Sequence, residues 1–184
     1  FLTRRNLTKD TIIVVTGDHG QAFYEHDFSA HAGKLFDEVM RVPLIVHAPG
    51  LEAGIDERPA QHIDIPPSIL HLLGLPKHPS FQGMNLLTSR PSEGRSIYMV
   101  AHTGLAYEYG IIRSGWKLVY DSRSTNYRLY NLTRDPTETF NLSEQEPDIR
   151  RELASRLHSW EQMQVDYYSD ERLHSQEYPP IPDY

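Results

Sequence analysis

The 184-residue sequence predicts an α/β domain followed by a small antiparallel sheet that one long helix closes. Three observations carry this. Two short β-branched runs near the start are separated by a loop and a helical spacing. Four closely spaced strand patterns begin near residue 96. A helix-period apolar stripe then runs from about residue 148 to 165.

The first run, Asp10-Thr-Ile-Ile-Val-Val-Thr16, ends at Gly17 and reads as a strand buried on both faces, as in a parallel sheet. A loop rich in Gly, His and Asp follows, to about Gly33. Apolar residues at Leu35, Phe36, Val39 and Met40 have the spacing of a short amphipathic helix. Val42-Pro-Leu-Ile-Val-His47 is a second buried strand, broken by Ala48-Pro49-Gly50. Strand, loop, helix and strand in that order predict a βαβ unit of a parallel or mixed sheet. Asp64 then caps a helix with Pro66 and Pro67 in its first turn, and Gly74 ends it. Residues 75–94 turn to Pro, Gly, Ser and His, the composition of a connecting stretch.

Residues 96–101, 109–113, 116–120 and 127–130 are the four strands, and Ser114-Gly115 makes a tight turn between two of them. That arrangement is an antiparallel meander. The closing helix carries Leu153, Leu157, Trp160 and Met163 on one face, and from about Ser169 the chain reads as an extended tail. The division expected is therefore residues 1–90, residues 91–168 and a tail at 169–184.

Composition removes several function classes. Net charge is −7 and no segment clusters Lys and Arg with aromatics, so no nucleic-acid partner is expected. No apolar run is long enough to span a membrane. With no cysteine there is no disulfide, thiolate nucleophile or Cys-based zinc site. The chain has no apolar leader and enters a strand almost at once, which reads as a cut through a longer protein. It also lacks a G-x-S-x-G elbow, a P-loop and a Gly-rich dinucleotide turn.

What remains is Asp18-His19, directly after the first strand, at the carboxyl edge where α/β sheets place ligands. A carboxylate and an imidazole suit a divalent cation, and Gly17 and Gly20 let the backbone turn both toward one cavity. The competing reading is an Asp that caps a turn beside an exposed His, and spacing alone leaves both open. Glu25, His26, Asp27 and His31 follow in the loop. His31 and Lys34 lie where the loop enters the helix, a place that favours an anion. Lys34 taken alone reads as a solvent-facing helix residue. Arg41 reads as a surface or ion-pairing group, and His47 as a core histidine. His62 and Asp64 organise the next helix cap, while Trp116 and the tyrosines of the second region pack a core.

Together, Thr16-Gly-Asp-His-Gly20, Glu25-His26, His31, Leu35-Phe-Asp-Glu38, Arg41-Val-Pro-Leu-Ile45 and Pro49-Gly50 resemble the later half of the sulfatase family, within the alkaline-phosphatase-like superfamily. Gln61-His-Ile-Asp-Ile-Pro-Pro-Ser-Ile-Leu70, Gly115-Trp-Lys-Leu118, Leu129 to Glu138 and Asn141-Leu142 resemble the family's following segments. The resemblance implies a partial alkaline-phosphatase-like sheet with a C-terminal α+β subdomain, and hydrolysis of a small-molecule or glycan sulfate ester. Asp18 and His19 match the pair that binds the catalytic divalent cation, usually Ca2+, with Mn2+, Mg2+ or Zn2+ in branches carrying Asp-His. His31 or Lys34 corresponds to the family's sulfate-contacting group. The nucleophile and two further acidic ligands belong to an N-terminal half not in this sequence, which implies that the chain is inactive alone. Relatives act in the periplasm, in secretions or on membranes outside the cytoplasm. Two alternatives remain: a phosphodiesterase or phosphoglycerol or phosphoethanolamine transferase of the same superfamily, and a non-catalytic binding module.

Overall fold

The computed structural model describes residues 1–89, 94–104, 106–176 and 178–180. The expected boundary between residues 90 and 91 lies outside the described residues.

Strands β1 (Ile13–Thr16) and β2 (Leu44–His47) pair antiparallel, with Ile13 opposite His47 and Thr16 opposite Leu44. The βαβ crossover expected from the sequence is not what joins them. A parallel return needs a connection that runs back along the sheet. The only helix between these strands is α1 (Asp37–Met40). Four helical residues rise about 6 Å, roughly half the length of a four-residue strand. The remaining connection crosses to the second sheet and comes back to the end it left.

Burial on both faces is also corrected. Val14, Leu44 and Val46 face Ile65, Ile69 and Leu72 of α2 (Ile65–Leu72). Side chains alternate, so Ile13, Val15, Ile45 and His47 point the other way. Val15 is 51% and Ile45 60% exposed, and His47 is exposed rather than a core histidine.

A short 3-10 turn, His62–Asp64, leads into α2. Asp64 is fully buried, and its carboxylate accepts hydrogen bonds from the Gln61 amide at 2.8 Å and the Met84 amide at 2.9 Å. The Arg95 guanidinium meets both its oxygens, at 2.7 and 2.9 Å. Asp64 stands at the N-cap position of α2 as expected, but its side chain makes no capping bond to that helix; it closes a box with Gln61 on the 3-10 turn and ties down the following stretch. Gly83 lies so close to Ile63 that an added Cβ would stand 1.8 Å from the Ile63 carbonyl oxygen.

Strands β3 (Ile97–Thr103), β4 (Ala106–Arg113), β5 (Trp116–Asp121) and β6 (Asn126–Asn131) form the expected meander in chain order. Ser114 and Gly115 both have positive φ, 49° and 78°, as the tightest hairpin turn requires. Register places Ile111, Leu118 and Leu129 in one row across the sheet. They pack on Leu153 and Leu157 of α3 (Pro147–Ser169), and Trp160 stacks on Tyr98 with ring centres 4.7 Å apart. Each of the buried aliphatic side chains contributes about 1.5–3 kcal/mol, and the partly buried aromatics add to them.

The tail is not wholly extended, because α4 (Glu171–Gln176) follows α3 directly. Asp170 explains it: its carboxylate accepts from the Arg172 amide at 3.0 Å and its carbonyl from the Leu173 amide at 2.9 Å. The opposite face of the four-stranded sheet is covered as well, by the loop that carries the candidate site.

Candidate functional site

At the end of β1 the chain turns through Gly17, whose carbonyl oxygen lies 2.8 Å from His62 Nε2. Three residues on, the Gly20 amide donates to the Val39 carbonyl of α1 at 2.7 Å. A Cβ on Gly20 would stand 2.1 Å from the Glu38 carbonyl oxygen, so this approach requires glycine. Between those anchors stand Asp18 and His19.

The Asp18 side chain is 90% exposed, and its Oδ1 accepts the His19 amide at 3.0 Å. That hydrogen bond first, then its own amide and the neighbouring imidazole, hold the Asp18 carboxyl below the ordinary value. His19 Nδ1 is 2.8 Å from the Gly20 carbonyl oxygen. A carbonyl only accepts, so Nδ1 carries the proton and Nε2 keeps a lone pair. Nε2 stands 3.7 Å from Asp18 Oδ2. The His31 ring stacks on His19, centres 4.6 Å apart and 10° from parallel, with Nδ1 3.2 Å from Gln21 Oε1. Asp18, His19 and His31 are therefore brought together at one edge.

This donor set fits part of a divalent cation site. It offers one carboxylate and one imidazole whose tautomer is fixed from behind, the usual second-layer arrangement of a metal-ligating histidine. Among the described residues no group of three or more metal-ligating side chains converges on one point.

Lys34 stands elsewhere. Its ammonium donates to Glu108 Oε1 at 2.7 Å. Glu108 is buried on β4 and also accepts the Leu35 amide at 3.0 Å, with the Arg128 guanidinium at 2.7 Å. The solvent-facing reading of Lys34 therefore gives way to a tether between the loop and the second sheet. Arg41 is exposed, as expected.

Three residues the sequence reading gave no role hold this loop. Lys117 is fully buried, with its ammonium 2.9 Å from Asp37 Oδ1 and 2.7 Å from Glu138 Oε1. Glu138 Oε2 in turn accepts the Asp37 amide at 2.7 Å. Burial pushes the Glu138 carboxyl up, against the opposing pull of Lys117. Lys117 sits between Trp116 and Leu118, so alternation puts it on the face away from α3. The signal in the sequence was that alternation, legible only once both faces are known to be covered.

His26 is a further pin. Nδ1 is 2.7 Å from Glu38 Oε1, and Nε2 is 3.0 Å from the Thr137 carbonyl oxygen. The ring stacks on Phe36 at 3.7 Å, with the Arg128 guanidinium 4.9 Å from the Phe36 ring centre. Burial alone would lower its pKa, but the Glu38 carboxylate and the Thr137 carbonyl outweigh it and raise the value.

The sulfatase family profile matches residues 2–75. An uncharacterised sulfatase of Escherichia coli is 27% identical over 158 residues, covering 82% of this chain and 31% of its own length. Arylsulfatase K of Danio rerio is 28% identical over 163 residues, covering 81% and 31%. The chain thus spans about a third of the length of these curated relatives. A solved 2-O GAG sulfatase superposes with a TM-score of 0.72 at 20% identity, covering 96% of this chain and 42% of its own. Residues 2–75, with Asp18, His19 and His31 among them, match the sulfatase family model, and the chain is similar in fold to part of a solved sulfatase.

Proposed function

We propose that these 184 residues are the later part of a metal-dependent sulfatase, and that they supply two metal ligands, Asp18 and His19, together with an anion contact. The observation that carries this is the Asp18–His19 pair at the end of β1. A carboxylate and a tautomer-fixed Nε2 lie side by side within the stretch that matches the family. The bound cation would be Ca2+, with Mn2+, Mg2+ or Zn2+ as the other candidates, and would supply charge neutralisation at the transferred group.

For the anion contact we favour His31 over Lys34. His31 stacks on His19, and as an imidazolium it would donate Nδ1–H to Gln21 Oε1 and Nε2–H to a bound sulfate oxygen. Lys34 is committed to Glu108. Residues 1–90 belong to the catalytic domain in this reading, and residues 91–168 form a subdomain whose sheet supports the site loop. The nucleophile and remaining ligands come from the other two thirds of a protein of the relatives' length, and the chain alone is inactive. The substrate class is a sulfate ester, small or carried on a glycan, and the likeness to a GAG sulfatase supports a sulfated sugar.

The test is hydrolysis by the intact protein of a sulfate ester and a phosphate ester with the same leaving group, before and after chelation. Sulfate release that chelator abolishes and a divalent cation restores is the expected result. Turnover of the phosphate ester alone would move the protein to the phosphodiesterase or transferase branch. Cation binding with no turnover of either ester would favour a non-catalytic module.

A further inference from the structure

We infer that Lys117 and Glu138 are positioning residues for the site, acting through α1 on His19, although both belong to the second sheet region. This rests on the functional reading above. Lysine is almost never fully buried without partners. Here Lys117 and its partner Glu138 converge on a single residue of the site loop, Asp37.

Asp37 is gripped at both ends. Its carboxylate takes the Lys117 ammonium at 2.9 Å, and its amide donates to Glu138 at 2.7 Å. Asp37 is the first residue of α1, and α1 has only four residues. So short a helix has no stability of its own, and its place is set by what holds it. Beneath it, Leu35 fills the gap over Gly110, where an added Cβ would stand 2.9 Å from Leu35 Cδ1. From α1 the Val39 carbonyl receives the Gly20 amide at 2.7 Å, and the Gly20 carbonyl faces His19 Nδ1 at 2.8 Å. An unbroken path of bonds thus runs from Lys117 and Glu138 through Asp37, α1 and Gly20 to the imidazole that presents Nε2.

Two carboxylates share one ammonium in a buried place, an arrangement that stabilises little compared with apolar packing. Its particular consequence is the fixed location of α1 against the sheet. Loss of the clamp therefore frees the loop before it frees the sheet.

The experiment uses the intact protein with Asp37→Asn, which keeps the amide bond to Glu138, and with the paired change Lys117→Met/Glu138→Gln, which removes both buried charges. Amide hydrogen exchange is read at Gly20 and Ala22 in the loop and at Ile111 and Leu118 in the sheet. Gly20 and Ala22 should exchange about 10- to 100-fold faster, the factor a charge-assisted hydrogen bond is worth, with the sheet amides unchanged. Ca2+ titration should show at least about 10-fold weaker binding, and kcat should fall with KM nearly constant. Equal acceleration of loop and sheet would make the network a general support and overturn the inference. Unchanged loop exchange with unchanged Ca2+ affinity would overturn it too. Exchange needs no activity, so an absence of sulfatase turnover in the wild type would count against the functional reading alone.

Discussion

Replacing Asp64 by alanine should be among the most damaging single changes in this chain. Asp64 is fully buried and accepts four hydrogen bonds, two from backbone amides and two from Arg95. Arg95 is itself only 7% exposed. Removing one partner of such a buried pair costs about 3–5 kcal/mol, because the other charge is left behind. Each orphaned amide adds up to about 1–3 kcal/mol, less what water recovers at these part-buried positions. Contributions at one site are not additive, so a loss of about 4 kcal/mol is expected for Asp64→Ala. For a chain of this size that lowers the unfolding midpoint by roughly 8–16 °C. Thermal and denaturant unfolding of Asp64→Ala, Arg95→Met and the double variant give the cycle. A coupling energy above about 1.5 kcal/mol is expected, with the double variant less damaged than the sum. A single-variant loss below about 1 kcal/mol, or strict additivity, would refute the reasoning.

Further outcomes follow from the same contacts. Leu118 is fully buried between sheet neighbours and α3, so Leu118→Ala should cost about 2–5 kcal/mol in denaturant unfolding. Gly20→Ala should cost about 1–3 kcal/mol and weaken Ca2+ binding, since the new Cβ must displace α1 or the turn at Asp18. His26 has its folded pKa raised above the ordinary 6.5. Its stabilising contribution is therefore fully present below about pH 6.5 and lost as pH rises through the raised folded value. The stability gap between wild type and His26→Gln should be wider at pH 5.5 than at pH 8.5, taken as points roughly one and two units either side of that window. A gap that is constant or widens with pH would contradict the assigned hydrogen bonds.

The second sheet was legible because local rules decide it. Ser114-Gly115 supplies two consecutive positive φ angles, and alternation along residues 96–130 orders the strands. The helix stripe of Leu153 and Leu157 meets that sheet where periodicity places it. In contrast, the direction in which β2 pairs with β1 depends on where a 27-residue connection travels, counted from residue 17 to residue 43, and no local pattern records that. Val15 and Ile45 have the composition of buried strands, but in this chain their face is uncovered. Asp18, His19 and His31 could be singled out because unusual residue types crowd a loop after a strand. The tether role of Lys34, and the roles of Lys117, Glu108 and Glu138, could not be read, since a charge in sequence looks the same whether it faces solvent or a buried partner 74 residues away, as Lys34 and Glu108 do.

The central claim is that Asp18 and His19 hold a catalytic divalent cation. The most direct measurement is bound metal per molecule, together with sulfate-ester turnover, for the intact protein and for Asp18→Ala and His19→Ala. Both side chains are largely outside the packed core, Asp18 at 90% exposure, so both variants should unfold within about 1 kcal/mol of wild type. The account predicts at least about 10-fold weaker metal binding and near-complete loss of turnover in each. Wild-type metal content and wild-type turnover in either variant would contradict it.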